Sequence, residues 1–472
     1  MVPGHRFRDR RSLPRPHLPA LLASLAVVAC ALEAPPDAKQ LAETELAHAT
    51  PPSAFKAGGS TSAVQAGWLA TFNDPRLLPL AEEALAYNAD LRLAAARVEA
   101  AMAALKAAGG PLLPEVNLAA RSGGQAVGAS GQLSGLLVSA SWELDLWGRV
   151  RYGRAAADAQ FASAQADERA ARQAIVAALA KAWFLAAESE LQRRIVTDML
   201  GGSEMLVKLS ADRLRVGAGN DLDVTQARIN LQNFRDSALQ VDYALAQSRR
   251  ALELLLGRYP AAEIALPVEL PELPPSAATG LPSELLERRP DIIAAERRFD
   301  AAFARVGEAR AARLPRISLT AALSSISSST FVLKESSDAT LGGGATLFFP
   351  IFNNGQLAAQ VELRTAEQKQ AGAAYAQTAL KAFNEVETAL ASEASLAARE
   401  DVLRQSLTDN THALGLEQVR YRVGSRDLRS VTQQQIAAYA ANMSLLRVRT
   451  EQRVQRVQLH LALGGDFVTP GS

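Results

Sequence analysis

The sequence predicts a mainly α-helical chain with a small β part, made by repeating one unit twice. Three observations lead there. Alanine is abundant, and aromatic residues make up only 5% of the chain. Alanine is the strongest helix former, and small side chains let helices approach closely. Short stretches also recur at fixed offsets. Arg215-Val216-Gly217 returns as Arg422-Val423-Gly424 (424 − 217 = 207), and Val224-Thr225-Gln226 returns as Val431-Thr432-Gln433. Gly148 and Gly355 keep that offset, as do Leu254-Leu255-Leu256-Gly257 and Leu461-Ala462-Leu463-Gly464. Upstream the offset is 201 (314 − 113 = 201), linking Leu113-Pro114 to Leu314-Pro315 and Asp90 to Asp291. Such constancy marks a duplicated fold, with the change of offset placed in loops. Finally, Val138, Ala140, Trp142, Leu144 and Leu146 alternate with Ser139, Ser141, Glu143 and Asp145, the period of a strand with one apolar face.

The elements follow in order. A basic stretch with Arg6, Arg8, Arg10, Arg11 and Arg15 precedes an apolar run from Leu18 to Ala29, the layout of an export signal. The run is shorter than the ~20 residues of a membrane-spanning helix. Val27-Val28-Ala29-Cys30 resembles a bacterial lipobox, in which the cysteine is lipidated and becomes the mature N-terminus. A cleaved signal with an incidental cysteine is the alternative. Ala31 follows where an aspartate would resemble an inner-membrane retention signal, which points to the outer membrane.

In the first half a helix is expected over 79–108, stopping at Gly109-Gly110-Pro111. Strands are expected over 115–126 and 134–146, then a long helix from Gly153 to Arg215. A turn at Val216-Gly217-Ala218-Gly219-Asn220 reverses the chain, with Asp221 as N-cap of a helix ending near Leu256. The second half repeats the plan, with strands over 316–327 and 340–351, a helix over 355–421, a turn at 423–426 and a helix to 463. Pro267, Pro271, Pro274, Pro275 and Pro282 mark a linker between the halves. The chain thus divides into a signal peptide (1–29), a lipid-anchored segment (30–65), a first repeat (66–265), a Pro-rich linker (266–282), a second repeat (283–465) and a tail (466–472).

Composition narrows the chemistry. A net charge of +1 argues against a nucleic-acid partner. The histidines His5, His17, His48, His412 and His460 have no spaced partners for a metal site or a catalytic pair. Cys30 is the only cysteine, so a disulfide within the chain is excluded. No catalytic residue and no cofactor is predicted.

Four strands with one apolar face leave two raw edges. Other copies must close them. Two copies give eight strands, whose interior side chains fill, and three give twelve, with room for a duct. A soluble hairpin lying on the helices is the alternative.

Five motifs in order then carry a resemblance. They are Trp68-Leu69-Ala70-Thr71-Phe72-Asn73-Asp74-Pro75 with Asn88 and Asp90, Trp142 through Val150, Arg289-Pro290-Asp291 through Arg298, Phe352-Asn353-Asn354-Gly355, and Tyr421-Arg422-Val423-Gly424. Together they resemble outer-membrane efflux lipoproteins of the TolC superfamily over residues 66–465. The resemblance implies a homotrimer with a twelve-stranded barrel in the outer-membrane lipid and a long α-helical barrel in the periplasm. It implies passive export of small molecules delivered by an inner-membrane resistance-nodulation-division pump through a periplasmic adaptor. It places the periplasmic aperture at the helix turns, with Asp223 linked to Tyr421 and Arg426, and with Gln226, Arg429 and Gln433 beside them. Gln433 departs from the acidic residue of relatives, and Arg429 from an apolar constriction. The tips Arg215, Val216, Gly217, Arg422, Val423 and Gly424 are the expected adaptor-docking surface. An exit duct for type I protein secretion and a structural lipoprotein without a pore remain as other readings.

Overall fold

The computed structural model describes residues 32–122, 133–328 and 340–467. Cys30, the signal segment and most of the C-terminal tail lie outside the described residues. The elements are α1 (Ala38–Glu45), α2 (Leu77–Tyr87), α3 (Ala89–Gly109), β1 (Glu115–Ser122), β2 (Leu133–Leu144), α4 (Arg149–Arg215) and α5 (Asp221–Leu255). They continue as α6 (Pro282–Arg288), α7 (Pro290–Ala311), β3 (Arg316–Ser328), β4 (Thr340–Phe348), α8 (Gln356–Arg422) and α9 (Leu428–Ala462). The duplication is kept to the residue in the long elements: α4 and α8 each have 67 residues, and α5 and α9 each have 35. At 1.5 Å per residue the long helices run about 100 Å.

Three sequence expectations need correction. The helix expected over 79–108 is broken at Asn88, whose backbone is extended at ψ 131°. The Asn88 carboxamide oxygen accepts from the N–H groups of Asp90 (2.9 Å) and Leu91 (3.3 Å), so it caps α3 and ends α2. Its counterpart Arg289 (289 − 88 = 201) is extended at ψ 123°, as a residue preceding a proline should be. The long helix starts at Arg149 rather than Gly153, because the Asp145 carboxylate accepts from the N–H groups of Val150 and Arg151, both at 2.9 Å. Asn220, not Asp221, caps α5; its side chain accepts from the Asp223 N–H at 2.8 Å.

The chain forms two compact units. One comprises the described residues within 32–36, 102–160 and 299–370 and contains the sheet, in the order β1-β2-β3-β4, antiparallel throughout. Register sorts its side chains, since directly paired residues share a face. Leu118 pairs with Val138, Val138 with Leu323 and Leu323 with Leu341. Val116, Ala140, Ala321 and Gly343 make the next row, and Trp142, Leu319 and Ala345 the one after. No charged residue interrupts this face between these rows. The other face carries Asn117, Ser139, Ser141, Glu143, Ser318, Thr320 and Thr346. The apolar face is bare in the single chain: Leu118 is 67% exposed and Leu341 78%. Neither outer edge, β1 or β4, has a partner strand among the described residues.

The second unit comprises 37–101, 161–298 and 371–467 and is helical. Its core gathers Trp68, Phe72, Leu179, Trp183, Phe184, Leu252, Leu256 and Val457, all nearly inaccessible. The Trp183 indole donates to the Asp74 carboxylate at 2.9 Å. Burial opposes the Asp74 charge, but hydrogen bonds from Arg76 and Trp183 outweigh it and hold the carboxyl below its usual range. The Pro-rich linker is strapped to α9: the Arg453 Nε donates to the Pro271 carbonyl at 2.6 Å, and Arg456 donates to those of Pro274 and Pro275.

Candidate functional site

Both helix reversals belong to the helical unit and are built alike. Helix α4 ends in a residue at positive φ, Gly217 (75°), with Gly217 N–H bonded to Leu214 O and Ala218 N–H to Arg213 O. Helix α8 ends the same way at Gly424 (84°), with Gly424 N–H bonded to Tyr421 O and Ser425 N–H to Arg420 O. This is the Schellman pattern, which glycine makes without strain. Asn220 and Asp427 then cap the return helices, Asp427 accepting from the Ser430 N–H at 3.0 Å. The tips stay bare, Val216 at 72% and Val423 at 73% exposure, with Arg215 held by Asp212 at 3.0 Å.

Beneath the tips, Leu206, Ala227, Leu428 and Val431 enclose Tyr421, which is 1% exposed. The Arg213 guanidinium lies over the Tyr421 ring, 4.5 Å from its centroid. Arg213 also donates to the Ala218 carbonyl at 2.9 Å and to the Tyr421 carbonyl. The Tyr421 hydroxyl has no hydrogen-bond partner within the described residues. Burial pushes its pKa up, the nearby Asp223 carboxylate adds to the rise, and Arg213 opposes it. Asp223 and Tyr421 therefore share one electrostatic neighbourhood, without a direct hydrogen bond among the described residues. Arg426 instead approaches Glu417, Nε to Oε2 at 3.9 Å, and Arg420 reaches the same carboxylate at 3.2 Å.

Residues 80–258 and 281–465 match the family model for outer membrane efflux protein. The chain belongs to this family. The toluene efflux pump outer membrane protein TtgC of Pseudomonas putida is 31% identical over 421 residues, spanning 86% of each chain. The cation efflux system protein CusC of Escherichia coli is 30% identical over 424 residues, 85% of this chain and 88% of that one. Among solved structures, the outer-membrane channel OprN superposes with a TM-score of 0.79 at 27% identity, covering 89% of this chain and 97% of OprN.

No helix among the described residues is long and apolar enough to cross a membrane. The remaining predicted aperture residues sit on the return helices. The Gln226 side chain contacts Asn230 at 3.5 Å, and Asn230 donates to the Thr432 hydroxyl at 3.2 Å, tying α5 to α9. Arg429 and Gln433 are exposed on α9, and Arg422 is exposed at the tip. Arg213 and Glu417 are the site residues that sequence reasoning misses. A signal for Arg213 exists, since Arg213-Leu214-Arg215-Val216-Gly217 repeats as Arg420-Tyr421-Arg422-Val423-Gly424 (420 − 213 = 207).

Proposed function

We propose that three copies of this chain assemble into a passive outer-membrane duct for small molecules. An inner-membrane resistance-nodulation-division pump loads the duct through a periplasmic adaptor. The observation that carries this reading is the sheet, with one face apolar across its central rows and two edges unpaired among the described residues. Such a sheet is stable in lipid only when its edges meet those of other copies. Relatives named for toluene and for cations show how varied the cargo of such ducts is, and the exported class here is a small molecule of that range. Cys30 is acylated and adds a lipid anchor; intact-mass analysis of the mature N-terminus tests this, and an unmodified end starting elsewhere would overturn it.

The periplasmic mouth lies at the two turns. Asp223 with Tyr421 and Arg426 holds it narrow, Gln226, Arg429 and Gln433 line it, and Arg215-Val216-Gly217 with Arg422-Val423-Gly424 receive the adaptor. Cross-linking in detergent should stop at three copies, and the purified protein should conduct ions in a planar bilayer. Asp223→Ala should raise that conductance. A non-conducting, monomeric product would end the duct reading, and unchanged conductance in Asp223→Ala would end the aperture assignment alone.

A further inference from the structure

We propose that Arg213 is a positioning residue for the aperture, clamping the α8–α9 turn to the α4–α5 turn so that both move as one piece with Tyr421 held beside Asp223. The inference rests on the aperture reading above.

One guanidinium makes three contacts that span the two halves of the repeat. It donates to the Ala218 carbonyl in its own turn, donates to the Tyr421 carbonyl at the end of α8, and stacks on the Tyr421 ring. Nothing but a planar fork of donors can do all three. A lysine ammonium could stack or donate, but not reach two carbonyls in fixed directions from one plane. The same side chain also approaches Gly424, whose Cα would carry any added methyl to 3.8 Å from an Arg213 nitrogen. The second turn is thus seated against Arg213 from ring to tip. Asp223 lies in the first turn of α5, the return helix of the first reversal, so its distance from Tyr421 is set by how firmly the two turns are joined.

The joint is poised rather than locked. Arg213 Nε and the Tyr421 hydroxyl are both buried without a hydrogen-bond partner among the described residues. Each such atom opposes the joined arrangement of the turns, because water would satisfy it if the turns separated. The stack and the two charge-assisted bonds favour the joined arrangement. A small net bias from large opposing contributions is what a gate needs, since it must yield to a partner's binding energy.

The test uses the full-length protein in planar bilayers, with open fraction and conductance as readouts and melting of the oligomer measured in parallel. Arg213→Met, which keeps an unbranched apolar stem and removes all three contacts, should raise the open fraction about tenfold, the change that ~1.4 kcal/mol produces, with the oligomer's melting unchanged. Arg213→Lys should give a partial effect of about threefold, because only one contact is replaced. The double variant Arg213→Met with Asp223→Ala should exceed Asp223→Ala alone by less than twofold, since both act through Tyr421. If Asp223→Ala opens the channel and Arg213→Met does not, the clamp is refuted while the aperture stands. If neither opens it, both fail. Multiplicative effects in the double variant would show that Arg213 acts elsewhere and refute the clamp. If Arg213→Met does not assemble, wild-type gating in Arg213→Lys refutes it.

Discussion

Ala321 and Ala322 are consecutive residues of β3 that point to opposite faces of the sheet, so an arginine at each asks the same chain two different questions. Ala321 pairs with Ala140 and Gly343 on the apolar face; Ala322 pairs with Ser139 and Gly342 on the other. Ala321 lies five residues beyond the strand start at Arg316 (321 − 316 = 5). At ~3.4 Å per residue and a tilt of ~40°, that is about 13 Å of depth, the middle of a ~25 Å apolar band. A midplane arginine facing lipid costs about 2–4 kcal/mol, and one facing a wet lumen costs close to nothing. In the proposed assembly of three copies the Ala321→Arg penalty sums to about 6–12 kcal/mol. Heat-modifiable oligomer in outer-membrane fractions and urea unfolding in lipid vesicles would both read it. Ala321→Arg should leave little assembled protein, while Ala322→Arg should assemble normally and alter ion selectivity. Equal behaviour of the two variants, or a worse Ala322→Arg, would refute the assignment of faces.

Other outcomes follow from the helical unit. His460 is stacked on Trp68 at 5.4 Å, and burial, with Arg456 adding to it, lowers its pKa to about 4. A depressed histidine contributes stability above its unfolded pKa near 6.5 and loses it as pH falls through 4. The free energy of unfolding should therefore drop between pH 6.5 and 4 by up to about 3 kcal/mol, read by urea titration, and His460→Gln should flatten that drop. Trp183→Ala should cost about 3–5 kcal/mol in urea unfolding, since it opens a cavity against Phe72 and Phe184 and leaves Asp74 short of a donor. Gly201 sits inside α4 with nothing within 4 Å of where a Cβ would stand, so Gly201→Ala should stabilise the helix by about 1 kcal/mol, seen as a higher thermal midpoint by circular dichroism.

Much of the fold is legible in the sequence because the chain states its plan twice. Repeated Arg-Val-Gly at a constant offset is enough to locate both turns, and period-two alternation places β2 and its apolar face. The ends of the strands are less legible. Residues 145 and 146 continue the alternation of β2, yet the Asp145 carboxylate is taken up in starting α4. Strand β4, expected to reach 351, stops at Phe348, two residues before Pro350, which has no N–H for the ladder. The break at Asn88 is hidden because alanine and leucine continue on both sides, and only the side-chain cap reveals the interruption. Arg213 escapes sequence reasoning for a different reason. An arginine acquires its role from its partners, and the carbonyl it reaches lies 208 residues away.

The order of pairing in the sheet sets the order in which it can form. Within the β1–β2 hairpin, Ser122 meets Ser134 across 12 residues (134 − 122 = 12). At the central seam, Leu133 meets Ser328 across 195 (328 − 133 = 195), with α4, α5, α6 and α7 lying between in the chain. Closing the longer loop costs about 2.5 kcal/mol more chain entropy than closing the shorter. Local hairpins therefore precede the seam, and contacts of such high sequence separation make the seam slow. Until it closes, each chain carries two greasy hairpins with four open edges through an aqueous compartment, the condition in which chains aggregate. A kinetic demand for chaperoning during export is thus written into the sheet's connectivity.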